Sequence, residues 1–433
     1  MLEKEAVKFF QDRKEYERIL TAIFEKYKSI GKLSGTFQLK ELNDDERRIL
    51  APIHHKYFAA KEAKVSVKKF LDHFCSGRFE GLDFTKVLAI YFKDNLTTYR
   101  EEKEGKKIKK EEFFKELINI NKGTKSELWL QEALENKGFG YNILIKNYEA
   151  YSKDNKLEDF KLLLSAVLNG INSLTFSASA LESLPIFSSR ITKDPHYFDM
   201  NTTAGKILIH GICYILKTEF PKDAEETAEI LYSAGLLKDE ISSYVATFGL
   251  KAYKEEGELE FVYGFTNMGE PLIFTLGNLS KIDRFICNKN RLFIFENPSL
   301  FNEVIKRTAE FKPSIVCTSG QLKLASVVLL DKVVQEVEEI YYSGDFDPEG
   351  ILIANKLKLR YGDKLKLWRF DVEDYLKVIS NKFISDISRA KLNNIQNSAL
   401  EPLIKKLEDI GKAGYQEMLI EEYVEDVIKV SST

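Results

Sequence analysis

Three acidic side chains offer the clearest chemistry in this chain: Glu296, Asp345 and Asp347. Glu296 follows the unbroken apolar run Leu292-Phe293-Ile294-Phe295, and the two aspartates follow Glu339-Ile340-Tyr341-Tyr342 within Gly-Asp-Phe-Asp-Pro-Glu-Gly. Carboxylates gathered at one place repel unless a cation sits between them. Hard oxygen ligands select Mg²⁺ or Mn²⁺. One such ion, or a pair about 3.5–4 Å apart, orients a phosphodiester and makes bound water more acidic. A plainer role is open to the same residues: Asp347, before Pro348-Glu349, is a good helix N-cap, and Asp345 suits a strand-end turn.

The elements that must position these residues are short apolar strands alternating with helices. Runs at 292–295, 314–317, 339–342 and 366–370 read as strands, and helices are predicted over Leu322–Val337 and Pro348–Tyr361. Such alternation predicts right-handed crossovers and a parallel sheet with helices on both faces. In these sheets chemistry collects at the carboxyl ends of the strands, where all three acids fall. Gly344 and Gly350 ease a tight turn, and Pro348 suits a first helical turn.

Further upstream the texture differs. From Val7 to about Gly170 apolar residues recur at three- and four-residue spacing, which predicts helices. Charges of both signs in Glu101–Lys125 read as a solvated face. Pro185 and Asp194-Pro195-His196 suggest a boundary, followed by helices Thr203–Lys217 and Asp223–Leu237 and a shorter one near Lys238. Alternating segments Glu258–Phe265 and Pro271–Gly277 then predict a two-stranded ribbon. Helices before such a ribbon outline a winged helix. The C-terminal run Leu403–Ile428 reads as amphipathic helices, with Glu421, Glu422, Glu425 and Asp426 as a solvated face.

Composition narrows the classes. Of 433 residues, 44% are hydrophobic and 30% charged, as in a folded globular chain. No run approaches the roughly 18 apolar residues of a membrane span, and the charged start, Met-Leu-Glu-Lys-Glu, is unlike a signal peptide. A cytoplasmic location and no membrane partner are expected. Cys75, Cys213, Cys287 and Cys317 are too dispersed for a zinc knuckle, and no His-x-x-x-His pair occurs. A net charge of −3 neither demands nor excludes a nucleic-acid enzyme.

The strings FIFENPSLFNE, IVCTSGQLKLASVVLL, YYSGDFDPEGILIANKL and LWRFDVEDYL resemble the C-terminal domain of the JetD-type subunit of Wadjet systems, condensin-like SMC complexes that defend against plasmids. The strand–Glu and strand–Asp-x-Asp–helix pattern is similar to the Toprim fold of topoisomerase VI A subunits. LPIFSSRITKDPHYFD and GEPLIFTLGNL resemble the preceding regions of the same family. The resemblance implies a mostly helical N-terminal docking arm over 1–184, a winged-helix-like (CAP-like) DNA-binding module over 185–288, a Toprim catalytic domain over 289–376, and a helical extension over 377–433. It implies a Mg²⁺- or Mn²⁺-dependent endonuclease acting on double-stranded plasmid DNA, a homodimer working with the SMC ATPase, kleisin and accessory subunits. Glu296, Asp345 and Asp347 would be the catalytic and metal-binding residues. Gly344, Ser319, Gly320, Glu349 and Arg369 would support them. Ser319 also reads as a helix cap, Glu349 as a helix-dipole residue or a further ligand, and Arg369 as a phosphate contact or a partner of Asp371 or Glu373.

Two other readings stay open. A non-catalytic DNA-sensing or scaffold subunit would use the acids only as caps. A topoisomerase VI A-like strand-cleaving enzyme would need a nucleophile such as Tyr214, Tyr232, Tyr244, Tyr253 or Tyr263. No Gly-x-x-x-x-Gly-Lys-Ser/Thr loop is present, so ATP hydrolysis would belong to a partner.

Overall fold

The apolar runs become buried strands in the computed structural model of the chain, which describes residues 2–432 except 178, 179, 240, 256, 321 and 396. Two compact units are present, Met1–Ile120 and Asn121–Thr433. The first is mostly helical, and its core is rich in phenylalanine: Phe10 stacks on Phe74 at 4.7 Å, and Phe74 on Phe79 at 5.1 Å. Between its helices it also holds an antiparallel strand pair, Thr36–Leu39 with Ala63–Ser66, where the sequence suggested helices alone. The four-residue strands are too short to announce themselves by alternation.

The second unit opens with helices Lys125–Asn136, Tyr141–Lys153, Leu157–Ser173, Leu184–Thr192 and Thr203–Leu216. Its centre is a six-stranded sheet built from β1 (Tyr244–Phe248), β2 (Leu272–Thr275), β3 (Arg291–Phe295), β4 (Ile315–Cys317), β5 (Glu339–Ser343) and β6 (Leu365–Leu367). The strand order is β6-β5-β3-β4-β1-β2. Strands β6, β5, β3 and β4 are mutually parallel; β1 and β2 add to the β4 edge antiparallel. Consecutive side chains of a strand face opposite ways, and Leu292, Phe293, Ile294 and Phe295 are all buried, so both faces at β3 are covered. Helices α1 (Pro298–Thr308), α2 (Leu324–Val333) and α3 (Pro348–Tyr361) follow β3, β4 and β5.

The expected ribbon does not form. Its first half is a helix, Glu260–Met268, with Val262 turned into the core and Phe261, Tyr263 and Phe265 left half-exposed. Its second half is β2, which pairs with β1 rather than with a neighbouring ribbon strand. Where a short helix was expected near Lys238, the chain turns into β1 (Glu240 lies outside the described residues). The tail also differs from an all-helical extension. Strands β7 (Ile379–Phe383) and β8 (Lys412–Gly414) pair antiparallel, with helices α4 (Glu401–Ile410) and α5 (Ile420–Ser432) around them. Among the described residues no helix is long and apolar enough to cross a membrane.

Candidate functional site

Register brings the acids together. Phe295 lies opposite Ser343 in the parallel pair β3/β5, so Glu296 leaves its strand level with Gly344, one residue before Asp345. Gly344 is a close approach between the two segments. A Cβ at that position would stand 2.6 Å from the Tyr342 hydroxyl and 2.8 Å from Glu296 Oε2. Both oxygens are buried without a hydrogen-bond partner.

The aspartates have different local tasks. Asp347 caps α3, accepting a hydrogen bond from the Gly350 amide at 2.8 Å. The capping role suggested by sequence is therefore real, and it occupies one carboxyl oxygen. Asp345 Oδ1 accepts from the backbone amide of Gln416 at 3.1 Å. Gly350 keeps this turn closed, since a side chain there would drive its Cβ to 2.1 Å from the Asp345 carbonyl oxygen.

Burial makes charge expensive here. It pushes Glu296 up to about 8, helped by the adjacent Asp345 and Asp347 carboxylates. Burial also raises Asp345 to about 6 against the opposing pull of the Gln416 amide, and raises Asp347 despite its cap. Tyr342, wholly buried, is held well above the usual phenol range.

The supporting residues divide. Gly320 donates its amide to the Glu296 carbonyl at 3.1 Å, tying the β4–α2 loop to β3. Ser319 does not cap α2, whose N-cap is Lys323. It sits instead in left-handed backbone with its hydroxyl 3.6 Å from the Cys317 sulfur. Glu349 pairs with Lys391 at 2.6 Å. Arg369 grips Asp426 of α5 through Nε at 2.8 Å and Nη2 at 3.0 Å, with Asp374 at 3.9 Å, rather than Asp371 or Glu373. Asp426 also accepts from the Trp368 indole at 2.8 Å, so it is a structural anchor and not part of a solvated face. Arg369→Ala and Asp426→Ala are each expected to cost about 1–3 kcal/mol in urea unfolding. The double variant should cost little more than either alone, as a shared pair requires.

Four residues of the site were not singled out by sequence. Tyr342 lies under Gly344, and Ser343 and Tyr423 share a buried hydrogen bond of 2.5 Å behind it. Gln416 is fully buried. Its side-chain amide favours the ionised Asp345 yet completes no hydrogen bond. An unbroken pair of tyrosines at a strand end was the available signal for Tyr342; nothing local marked Gln416. Of the five tyrosines weighed as nucleophiles, Tyr244 alone lies in the six-stranded sheet, at the start of β1 beside the carboxyl end of β4, with Lys323 Nζ 3.9 Å from its ring centre. Tyr214, Tyr232 and Tyr263 are helical, and Tyr253 belongs to a separate three-stranded sheet.

The donor set suits a hard divalent cation: carboxylate oxygens only, one of them buried and unpartnered beside a glycine whose missing Cβ permits its close approach. As they stand, the acids are neighbours without forming a closed ligand shell; among the described residues no group of three or more His, Cys, Asp or Glu could hold an ion.

Two family models match successive parts of the chain, and the first of them runs across the boundary between the two compact units. Residues 33–252 match the family described as protein of unknown function N-terminus (DUF3323), and residues 272–427 match protein of unknown function C-terminus (DUF2399). No curated protein matches the chain.

Proposed function

We propose, for a chain that belongs to the family described as protein of unknown function N-terminus (DUF3323), that Glu296, Asp345 and Asp347 form the centre of a divalent-metal-dependent DNA endonuclease with a Toprim-like fold. The observation that carries this reading is the buried, unpartnered Glu296 Oε2 beside two further acids at the carboxyl end of parallel strands. Burying three acids without compensation is costly, and a bound cation would offset that cost. A Mg²⁺ or Mn²⁺ ion held there supplies polarisation of a phosphodiester and a more acidic water. The chain's own contribution is placement. Strand register sets Glu296 against Gly344, the Gln416 amide orients Asp345, and the α3 cap orients Asp347. In the resemblance to JetD-type subunits, the substrate is plasmid DNA and the working assembly is a homodimer with an SMC ATPase, kleisin and accessory subunits.

The test is cleavage of circular DNA in Mg²⁺ or Mn²⁺, with and without the SMC partners, comparing wild type with two Asp347 variants. Asparagine caps a helix about as well as aspartate, whereas alanine costs about 1 kcal/mol. Asp347→Asn should therefore keep the melting temperature and lose cleavage; Asp347→Ala should lose both. If Asp347→Asn cleaves at the wild-type rate, the acids are caps and the scaffold reading replaces this one. Tyr244, at the same sheet edge beside Lys323, favours a second reading in which a tyrosine attacks the phosphodiester. A protein–DNA adduct trapped by denaturant and lost in Tyr244→Phe would establish it.

A further inference from the structure

We propose that the β7–β8 pair, a broad hairpin whose strands are joined by a long connection containing α4, is the surface through which the carboxylate site engages DNA, with Lys382 and Lys412 on backbone phosphates and Phe383 against a base at an opened step. This rests on the nuclease reading and adds to it the place and the chemistry of substrate contact.

The hairpin is fastened to the site itself. Phe346, between the two aspartates, exchanges backbone hydrogen bonds with Gly414 of β8 at 2.9 and 3.0 Å. Two residues further on, the Gln416 amide holds Asp345. Whatever β7 binds is therefore delivered beside Asp345 and Asp347.

The outer strand is built for contact. Asn381, Lys382 and Phe383 are consecutively exposed, although a strand with one packed face would bury alternate residues. Phe383 is 74% exposed, an unusual place for so large an apolar ring. Lys412 pairs with it across the hairpin and holds its ammonium 5.3 Å from the ring centre; Lys382 stands 6.0 Å from the Tyr415 ring. Among other cations nearby, Lys391 is engaged by Glu349, Lys377 by Asp374 and Arg369 by Asp426. Among the described residues Lys382 and Lys412 have no acidic partner within ion-pair distance. A centre of buried carboxylates repels a polyanion, so phosphate contacts must come from flanking cations of this kind. Paired with an exposed ring, they match the combination that binds unstacked nucleotides, backbone by charge and base by stacking.

The experiment measures equilibrium binding by fluorescence anisotropy, using the full chain in Ca²⁺, a labelled duplex and the same duplex carrying a single-stranded gap, over a range of KCl. The Lys382→Ala/Lys412→Ala variant should bind both DNAs about tenfold more weakly, with the slope of log affinity against log salt reduced by about 2. Phe383→Ala should weaken binding to the gapped duplex about tenfold, and to the intact duplex much less. Lys382→Glu, a single exposed change, guards against a folding defect in the double variant and should weaken binding at least as much as loss of one phosphate contact. If wild type binds DNA and these variants bind with the same affinity and salt slope, the surface assignment fails and the nuclease reading stands. If wild type shows no salt-dependent DNA binding, both fail.

Discussion

Glu296→Gln is expected to lower metal-dependent cleavage by about a thousandfold or more while stabilising the metal-free chain at alkaline pH. The two effects have one cause. Burial and two neighbouring carboxylates raise Glu296 from an ordinary 4.5 to about 8. Below pH 4.5 the folded and unfolded states both hold the proton, and nothing is lost. Between 4.5 and 8 the unfolded chain releases the proton and the folded chain keeps it, so metal-free stability falls as pH rises. Above 8 the penalty is constant. Glutamine does not titrate, so the variant's advantage should grow from pH 5 to 8 and then level off. At about 1.4 kcal/mol per pKa unit, the rise from 4.5 to about 8 should bring it to on the order of 5 kcal/mol. A series of melting temperatures in EDTA measures it. In wild type, a cation must displace the same proton, so Mn²⁺ affinity should climb through pH 8, a climb that the variant flattens. The cleavage loss follows from removing a negative ligand from an ion that contributes several kcal/mol to phosphoryl transfer. An alkaline melting temperature no higher in Glu296→Gln than in wild type would show that the carboxyl is not held at this cost.

Gly350→Ala is expected to be strongly damaging to the turn that carries both aspartates. Its Cβ would lie 2.1 Å from the Asp345 carbonyl oxygen and 3.2 Å from the Asp345 amide nitrogen. Backbone cannot swing aside as a flexible side chain can, so the turn joining β5 to α3 would have to open. Overpacking of this kind costs about 3 kcal/mol, and the movement falls on both aspartates. Equilibrium unfolding in urea should show the loss. Gly264→Ala provides the contrast: it sits inside the helix Glu260–Met268 with nothing within 4 Å of a new Cβ. There, alanine should stabilise by about 0.5–1 kcal/mol. Equal unfolding midpoints for the two variants would contradict the steric account of the turn.

How much of this was readable beforehand depended on how a segment signals its burial. Strands β3 and β4 are buried on both faces, and β5 is buried at Ile340, Tyr342 and Ser343 with Tyr341 half-buried, so they appear as apolar runs ended by Glu-Asn-Pro, Thr-Ser-Gly and Gly-Asp. The acids could therefore be placed at strand ends, and helix α3 could be bounded by Pro348 and Tyr361. Glu260–Met268 misled because Phe261, Val262, Tyr263 and Phe265 satisfy a two-residue period as well as a helical one in so short a window. Tertiary packing of Val262 decided for the helix. Strand β7 gave no alternation because its outer residues pack against nothing. Gln416 could not be found from its neighbours, since its part in the site comes from pairing between segments about 70 residues apart. The pairing of Arg369 with Asp426 is equally non-local.

The pairing of Phe295 with Ser343 fixes the distance from Glu296 to Asp345 by counting residues rather than by side-chain size. Exchange among isoleucine, leucine, valine and phenylalanine in β3 or β5 leaves that count untouched. A one-residue deletion in either strand slips it and turns every side chain beyond the slip to the opposite face. Descendants of this gene should therefore vary in the spelling of these strands and hardly at all in their length, with insertions accumulating instead in loops remote from the carboxyl edge.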